Sequence, residues 1–304
     1  MQVEVDARIF GMDFGRGDRI FNIDNIALIP NNLAQSDIAV LGPHIQKGVA
    51  RVKIEGSDFD KCIDEAQSIL FDIDSLLTFA QQRGVFVNDF RCYTYIDHER
   101  KLRHRKLFSK IEPVFLEHLN PITVIDLNQI ESFLRHCIAK LRDLEFQQHT
   151  KVKYALSFFN ETIIIKMPLE LRYITSFFAL EVLASSYATA NSFDELLNAN
   201  EYATINSTIS PLLYKIITDE NRRSRVLSSL DNLRRETIRQ KLRYLFKNYQ
   251  IDITNEQLTD MLELRNNIVH GKRIEDIADA IGILRFVEDV LRRLIPVIFG
   301  FGDD

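Results

Sequence analysis

Glycine and proline are scarce in this chain, 11 and 7 of 304 residues. That excludes collagen-like and low-complexity chains, and no segment has the composition of disorder. Cysteine is scarcer still: Cys62, Cys92 and Cys137 are odd in number and scattered. They form neither a disulfide framework nor a zinc-ligand pattern, and they fit a reducing, cytoplasmic setting. No apolar run reaches the roughly 18 residues that a membrane helix needs. The longest candidate, Leu291 to Phe301, is interrupted by Arg292, Arg293 and Pro296. The opening MQVEVDARIF has neither a basic start nor an apolar stretch, so no secretory signal is expected. His-x-x-x-His pairs and carboxylate clusters are also lacking, and His98 and His104 sit among Arg and Lys. No metal or other cofactor is therefore expected.

What is present is the composition of a folded protein, 46% hydrophobic and 27% charged, long enough for two domains. The net charge of −5 argues against a uniformly basic nucleic-acid binder, but charge is unevenly placed. Residues 1–97 carry 9 basic and 15 acidic side chains, net −6. Residues 98–106, HERKLRHRK, carry five basic groups against one acid. Residues 221–247 carry nine basic groups, including Arg222, Arg223, Arg225, Arg234, Arg235 and Arg239, against Asp231 and Glu236. Any attraction for phosphate belongs to these two later segments.

Hydrophobic periodicity divides the chain. Val3, Val5, Ala7 and Ile9 alternate with polar residues, as do residues 51–55. Short apolar runs at 20–23 and 26–29 end at Pro30-Asn31-Asn32, and glycines at 11, 15, 17, 42, 48 and 56 punctuate the strands. Ser57 or Asp58 caps a helix reaching about Gln82, ended by Gly84, and residues 85–87 and 92–96 read as two more strands. From about Asp126 the pattern is helical throughout: Ile130 to Leu141, 151–163, 168–190, a helix opening at Ser210-Pro211, a long one over 223–249, one from Thr254 to His270 stopped by Gly271, and 273–297. In the long helix Val226, Leu230, Leu233, Ile238, Leu242, Leu245 and Tyr249 are the inward positions. The fold class predicted is α+β, a mixed α/β domain over 1–125 followed by an all-α bundle over 126–304, with the boundary between 120 and 148. The acidic first domain is expected to take a regulator or ligand other than bare RNA.

The chemistry concentrates in Glu263-Leu264-Arg265-Asn266-Asn267-Ile268-Val269-His270-Gly271. With Glu263 at 0° on an ideal helix, Asn266, Asn267 and His270 fall at about −60°, +40° and −20°. Met261, Leu264 and Ile268 flank this polar stripe at about 100–160°, and Leu262 and Val269 at about −110°. Such a stripe suits a cleft or a dimer seam rather than a solvated face. Arg265 lies about 140° from His270. Either the helix deforms before Gly271 or a second subunit completes the site. The bland alternative is a helix-end His with Arg in a structural hydrogen bond.

Arg265-x4-His270, with Asn266 after the Arg, resembles the signature of the HEPN family. Tyr154-Ala155-Leu156-Ser157-Phe158-Phe159 and Phe177-Phe178-Ala179-Leu180-Glu181-Val182-Leu183 are similar to the opening helix pair of its ApeA-like branch. The resemblance covers about residues 148–300. It implies an all-α homodimer that cleaves RNA without a metal ion in a toxin, stress or antiviral defence role. His270 would act as general acid or base and Arg265 as the charge on the phosphorane. Asn266 would orient His270 or bind phosphate. Arg234, Arg235, Arg239, Glu263, Asn267 and Lys272 would line the RNA, with Glu181 as support or as an ordinary interface carboxylate. The family also contains non-catalytic nucleotide-binding or dimerisation modules, some modified on a Tyr two residues after the motif His. Lys272 occupies that position here, so that route finds no support. A plain scaffold is the third reading.

Overall fold

The structure, a computed structural model, describes residues 1–14, 19–30, 46–96, 99–106, 123–232 and 235–302. Asn31, Asn32, His98, Leu233, Arg234 and the glycines at 15, 17 and 42 lie outside the described residues, as does the side chain of Leu230. The fold is α+β. An antiparallel sheet comes first: β1 (Gln2–Phe10), β2 (Phe21–Ile23), β3 (Ile26–Pro30), β4 (Gln46–Glu55), β5 (Phe86–Ile96) and β6 (Glu99–Lys106), with α1 (Phe59–Gln81) between β4 and β5. The spatial order is β2-β3-β4-β1-β5-β6.

Alternation in β1 places Val3, Val5, Ala7 and Ile9 in the core under α1. The intervening Glu4, Asp6 and Arg8 are also buried, on the opposite face. An ion network accounts for this. Arg51 of β4 grips Asp6 through two bonds of 2.8 and 3.1 Å. Arg100 of β6 reaches Asp6 at 2.6 Å and Glu4 at 2.5 Å, and stacks 3.5 Å from the Tyr93 ring centroid. Arg8 pairs with Asp89 of β5 at 3.0 Å. The 98–106 run, read as a phosphate-attracting segment, is thus an edge strand whose Arg100 neutralises buried acid. Its apolar period is nil, which hid the strand. The two strands expected at 85–87 and 92–96 are one, β5, and the apparent break is Asp89, a bulge residue at φ 51°.

Asp58 caps α1 by accepting from the Asp60 and Lys61 amides at 3.1 and 3.3 Å. Gln82, at φ 50°, ends the helix two residues before Gly84. The helix is apolar on more than one side. One face meets the sheet. The other meets α2 (Ile130–Arg142) and α4 (Val152–Ile164), where Phe79 packs on Phe133 and Phe159 at 6.4 and 5.9 Å. Asn160 donates to the Ser75 carbonyl at 2.8 Å, and Lys153 pairs with Asp72 at 2.5 Å. A continuous apolar cluster therefore runs from Val3 to Phe299.

The remaining helices are α3 (Leu144–Thr150), α5 (Leu169–Ala190), α6 (Ala199–Ile216), α7 (Glu220–Asn232), α8 (Ile238–Asn248), α9 (Asn255–Val269) and α10 (Ile277–Phe299). Two boundaries correct the sequence reading. Pro211 does not open a helix; it lies inside α6, which starts at an Asn198 capping box with Glu201. The helix expected over 223–249 is broken into α7 and α8, because Thr237 takes extended backbone and caps α8 through the Gln240 amide. Helix α10 is clamped at its middle and at its C-terminal end. Buried Glu288 accepts from Arg172 of α5 at 2.7 and 3.0 Å and from Arg292 at 3.3 Å, and Arg292 also donates to Gln82 at 2.9 Å. The Phe299 carbonyl takes His136 Nε2 at 2.6 Å and Lys140 of α2.

Asp74 of α1 is half-buried against β5, and the partial loss of water pushes its carboxyl from the usual 3.8 up to about 8; bonds with Val87 and Thr78 offset this in part. The unfolded chain sheds this proton near pH 4 and the folded one near 8, so stability should fall as pH rises between them, by about 1.4 kcal/mol per unit, and no further above. Urea unfolding across about pH 5 to 7.5 should show this slope in the wild type and a flatter one in Asp74→Asn. Identical slopes would remove Asp74 as the cause.

Candidate functional site

Helix α9 carries the Arg–His segment. It begins at a capping box in which Thr254 accepts from the Gln257 amide at 3.1 Å and Gln257 accepts from the Thr254 amide at 2.9 Å. Leu258, Met261, Leu262 and Leu264 bury its inner side. Tyr173 of α5, whose phenol is pushed up by burial, donates to the Met261 carbonyl. The helix stays regular through Val269, and the His270 amide still bonds the Asn266 carbonyl at 3.0 Å. Gly271 then turns the chain at φ +69°, with Lys272 N donating to the Asn267 carbonyl at 2.8 Å. A Cβ at Gly271 would meet nothing within 4 Å, so backbone conformation rather than space requires glycine there.

Arg265 turns inward to α5. Its Nη2 lies 3.1 Å from Glu181 Oε1 and its Nη1 3.2 Å from Asn266 Oδ1. The two charged side chains are 27% and 19% exposed, so water screens the pair only partly. Burial pushes the Glu181 carboxyl up, and Arg265 pulls it back. The Arg265 Nε is buried without a hydrogen-bond partner among the described residues. His270 points elsewhere: it is exposed, and its ring makes no hydrogen bond to the described residues. The regular helix disposes of the idea that α9 deforms to unite Arg265 with His270.

The other expected site residues fall into two groups. Glu263, Asn267 and Lys272 line a groove of about 650 Å³ between α9 and the start of α10, together with Asp260, Arg273 and Asp276. Glu181 belongs instead to a groove of about 660 Å³ along α5, with His149, Phe158, Phe178 and Ser185. Neither Tyr173 nor this second groove was legible beforehand; Glu181 was, as the carboxylate within the 177–183 segment.

The basic residues are more dispersed than one helix would make them. Arg239 and Arg243 of α8 donate to Thr259 and Asn255 of α9 at 3.1 and 2.9 Å. The two helices are therefore antiparallel, and the start of α8 points toward the His270 half of α9. Thr259 is eleven residues from His270, about 16 Å along the axis, so Arg239 is remote from that imidazole within one chain. Arg235, exposed, forms a backbone bridge with Glu195. Among the described residues, no three His, Cys, Asp or Glu side chains are grouped to hold a metal ion, and no helix is long and apolar enough to cross a membrane.

If the Glu181–Arg265 pair is a unit, a double-mutant cycle by urea unfolding should be non-additive. Glu181→Ala and Arg265→Ala should each destabilise, and together by less than their sum, with a coupling of about 1 kcal/mol. Strict additivity would mean the pair has no joint energy. Compared with known proteins, the chain matches no family model, no curated protein and no solved structure.

Proposed function

We propose that the protein is a metal-independent endoribonuclease of the HEPN type, with Arg265 and His270 as its reacting pair. The observation that carries the reading is the pairing of a held guanidinium with an exposed imidazole at one helix end. Arg265 is fixed by Glu181 and Asn266, while five residues on His270 is exposed and makes no ring hydrogen bond to the described residues. In RNA the 2′-hydroxyl attacks the adjacent phosphate. An imidazole takes the hydroxyl proton, a second proton goes to the departing 5′-oxygen, and a 2′,3′-cyclic phosphate remains. An imidazole can take part in either transfer as general base or general acid. A guanidinium stabilises the charge on the five-coordinate phosphorus.

One chain offers one such histidine, turned away from Arg265. A homodimer through the helical half would supply two of each and place acid and base on opposite sides of the phosphate. RNA, a homodimer partner and a role in defence, toxicity or stress belong to the same proposal. So does a cytoplasmic setting. A non-catalytic nucleotide-binding module is the second reading, favoured by one observation: both Arg265 Nη atoms already hold protein oxygens.

The test is RNA cleavage by the purified full chain in EDTA. Wild type should cut and leave cyclic phosphate ends. His270→Ala should lose about 10²–10⁴ in rate with its unfolding curve unchanged. Arg265→Lys should retain part of the activity, since lysine lacks the planar fork. Activity that vanishes with EDTA and returns with a divalent ion would overturn the scheme, as would a folded His270→Ala protein that cleaves at the wild-type rate. Nucleotide binding without cleavage would select the module.

A further inference from the structure

Helices α6 and α7 form a hairpin whose two feet are tied together. Glu236 N donates to the Asp194 carbonyl at 3.0 Å, and Glu195 bridges Arg235. The feet lie at the start of α8, the end directed toward the His270 half of α9. Arg223 of α7 stacks 4.4 Å from the Tyr214 ring centroid and donates to the Ile217 carbonyl at 3.2 Å, closing the hairpin. Yet α6, 18 residues long, has no buried residue. Ile205, Leu212 and Ile216 are 37, 51 and 75% exposed. With Ile205 at 0°, Ile209, Leu212 and Ile216 fall at about +40°, −20° and +20°, one narrow apolar stripe along the whole helix. Pro211, and the Ser207 carbonyl left without its amide, fall at about −120° and 200°, away from the stripe.

We infer that this stripe is a dimer contact and that its occupant is α6 of a second copy, packed antiparallel across a two-fold axis near Ile209. Two features select a second copy. The stripe is self-complementary: reversal about residues 208–209 brings Ile205 onto Leu212 of the partner subunit. The charges agree with the same reversal. Glu201 and Lys215 lie on one flank of the stripe, at about −40° and −80°. An antiparallel pair sets like flank against like flank, so Glu201 meets the partner's Lys215 twice over. A parallel pair would not join them. Glu201 uses Oε2 on the Asn198 amide at 2.9 Å, which leaves Oε1 for the partner, and Lys215 has no ion-pair partner among the described residues. The contact rests on α6 alone and holds whether or not the protein cleaves RNA.

Light scattering on the full chain at micromolar concentration should give a dimer. Leu212→Glu, a change at an exposed position that the monomer tolerates, should weaken it at least about a hundredfold by burying an unpaired carboxylate. Lys215→Glu should weaken it less, by about tenfold, and flatten its salt dependence. Because Cys62, Cys92 and Cys137 are buried, Ile209→Cys should give a covalent dimer under mild oxidation, while Ser229→Cys on α7 should not. A wild-type monomer overturns the inference. So does a dimer indifferent to Leu212→Glu in which Ile209→Cys fails to crosslink. A monomer that cleaves RNA would overturn this contact and the two-subunit site while leaving cleavage standing, and an α6 dimer that leaves RNA intact would overturn the ribonuclease reading alone.

Discussion

Everything in this molecule is arranged around α1. A helix beside a sheet normally keeps a polar outer face, but α1 buries fourteen of its 23 residues. The sheet covers one side, and α2 and α4 cover the other. The sheet unit and the helical half consequently share one apolar interior, and the polar and charged groups trapped at their junction need partners within it. Asp72 finds Lys153 of α4, and Gln82 finds Arg292 of α10. Asp74 is desolvated against β5 and has no cation beside it among the described residues, so its carboxyl is pushed up to about 8.

The position of α9 follows from the same interior. Met261 and Leu264 face inward, so helical geometry sends Arg265 toward α5 and leaves Glu263, Asn266 and His270 outside. Glu181 compensates an arginine that would otherwise enter a partly dry interface alone. The compensation has a chemical consequence. A guanidinium anchored on a carboxylate keeps a fixed position but offers less net charge to a phosphate. A phosphate approaching Arg265 must therefore share it with Glu181 or displace that carboxylate, whose proton affinity burial has already raised.

The parts legible in the sequence were those where one period dominates. Alternation in β1 and the stripe Ile130, Phe133, Leu134, Cys137, Ile138 and Leu141 emerge as read, because each has one apolar side against one core. Caps were legible where chemistry is local, at Thr254 and Gly271, and at Asp58 as one of two candidates with Ser57. The failures share a cause: a distant partner overrode the local signal. Arginines read as one basic helix over 223–249 are divided by the extended Thr237, fixed beside the Asp194–Glu236 bond. Pro211, a natural first-turn residue, is carried inside α6 on the far side from its apolar stripe. In the site, Arg265, Asn266 and His270 were legible by spacing, but the separation of Arg265 from His270 into different surroundings depends on α5, a helix more than 70 residues earlier.

Charge counted along the chain also divides what the fold joins. Residues 1–97 sum to −6, which set the unit apart from phosphate, and HERKLRHRK, at +4, was assigned to a separate basic patch. The fold joins them, since β6 is the edge strand of the same sheet, and the unit to Lys106 carries only −2. Three of its acids are internal: Glu4, Asp6 and Asp89 are buried and matched by Arg100, Arg51 and Arg8. Their field is largely cancelled within the sheet face before it reaches solvent. The surface left there is mixed, with Lys53, Lys101 and Glu99 outward, so selectivity of the sheet unit for a ligand would rest on local arrangement rather than on a repulsion of anions.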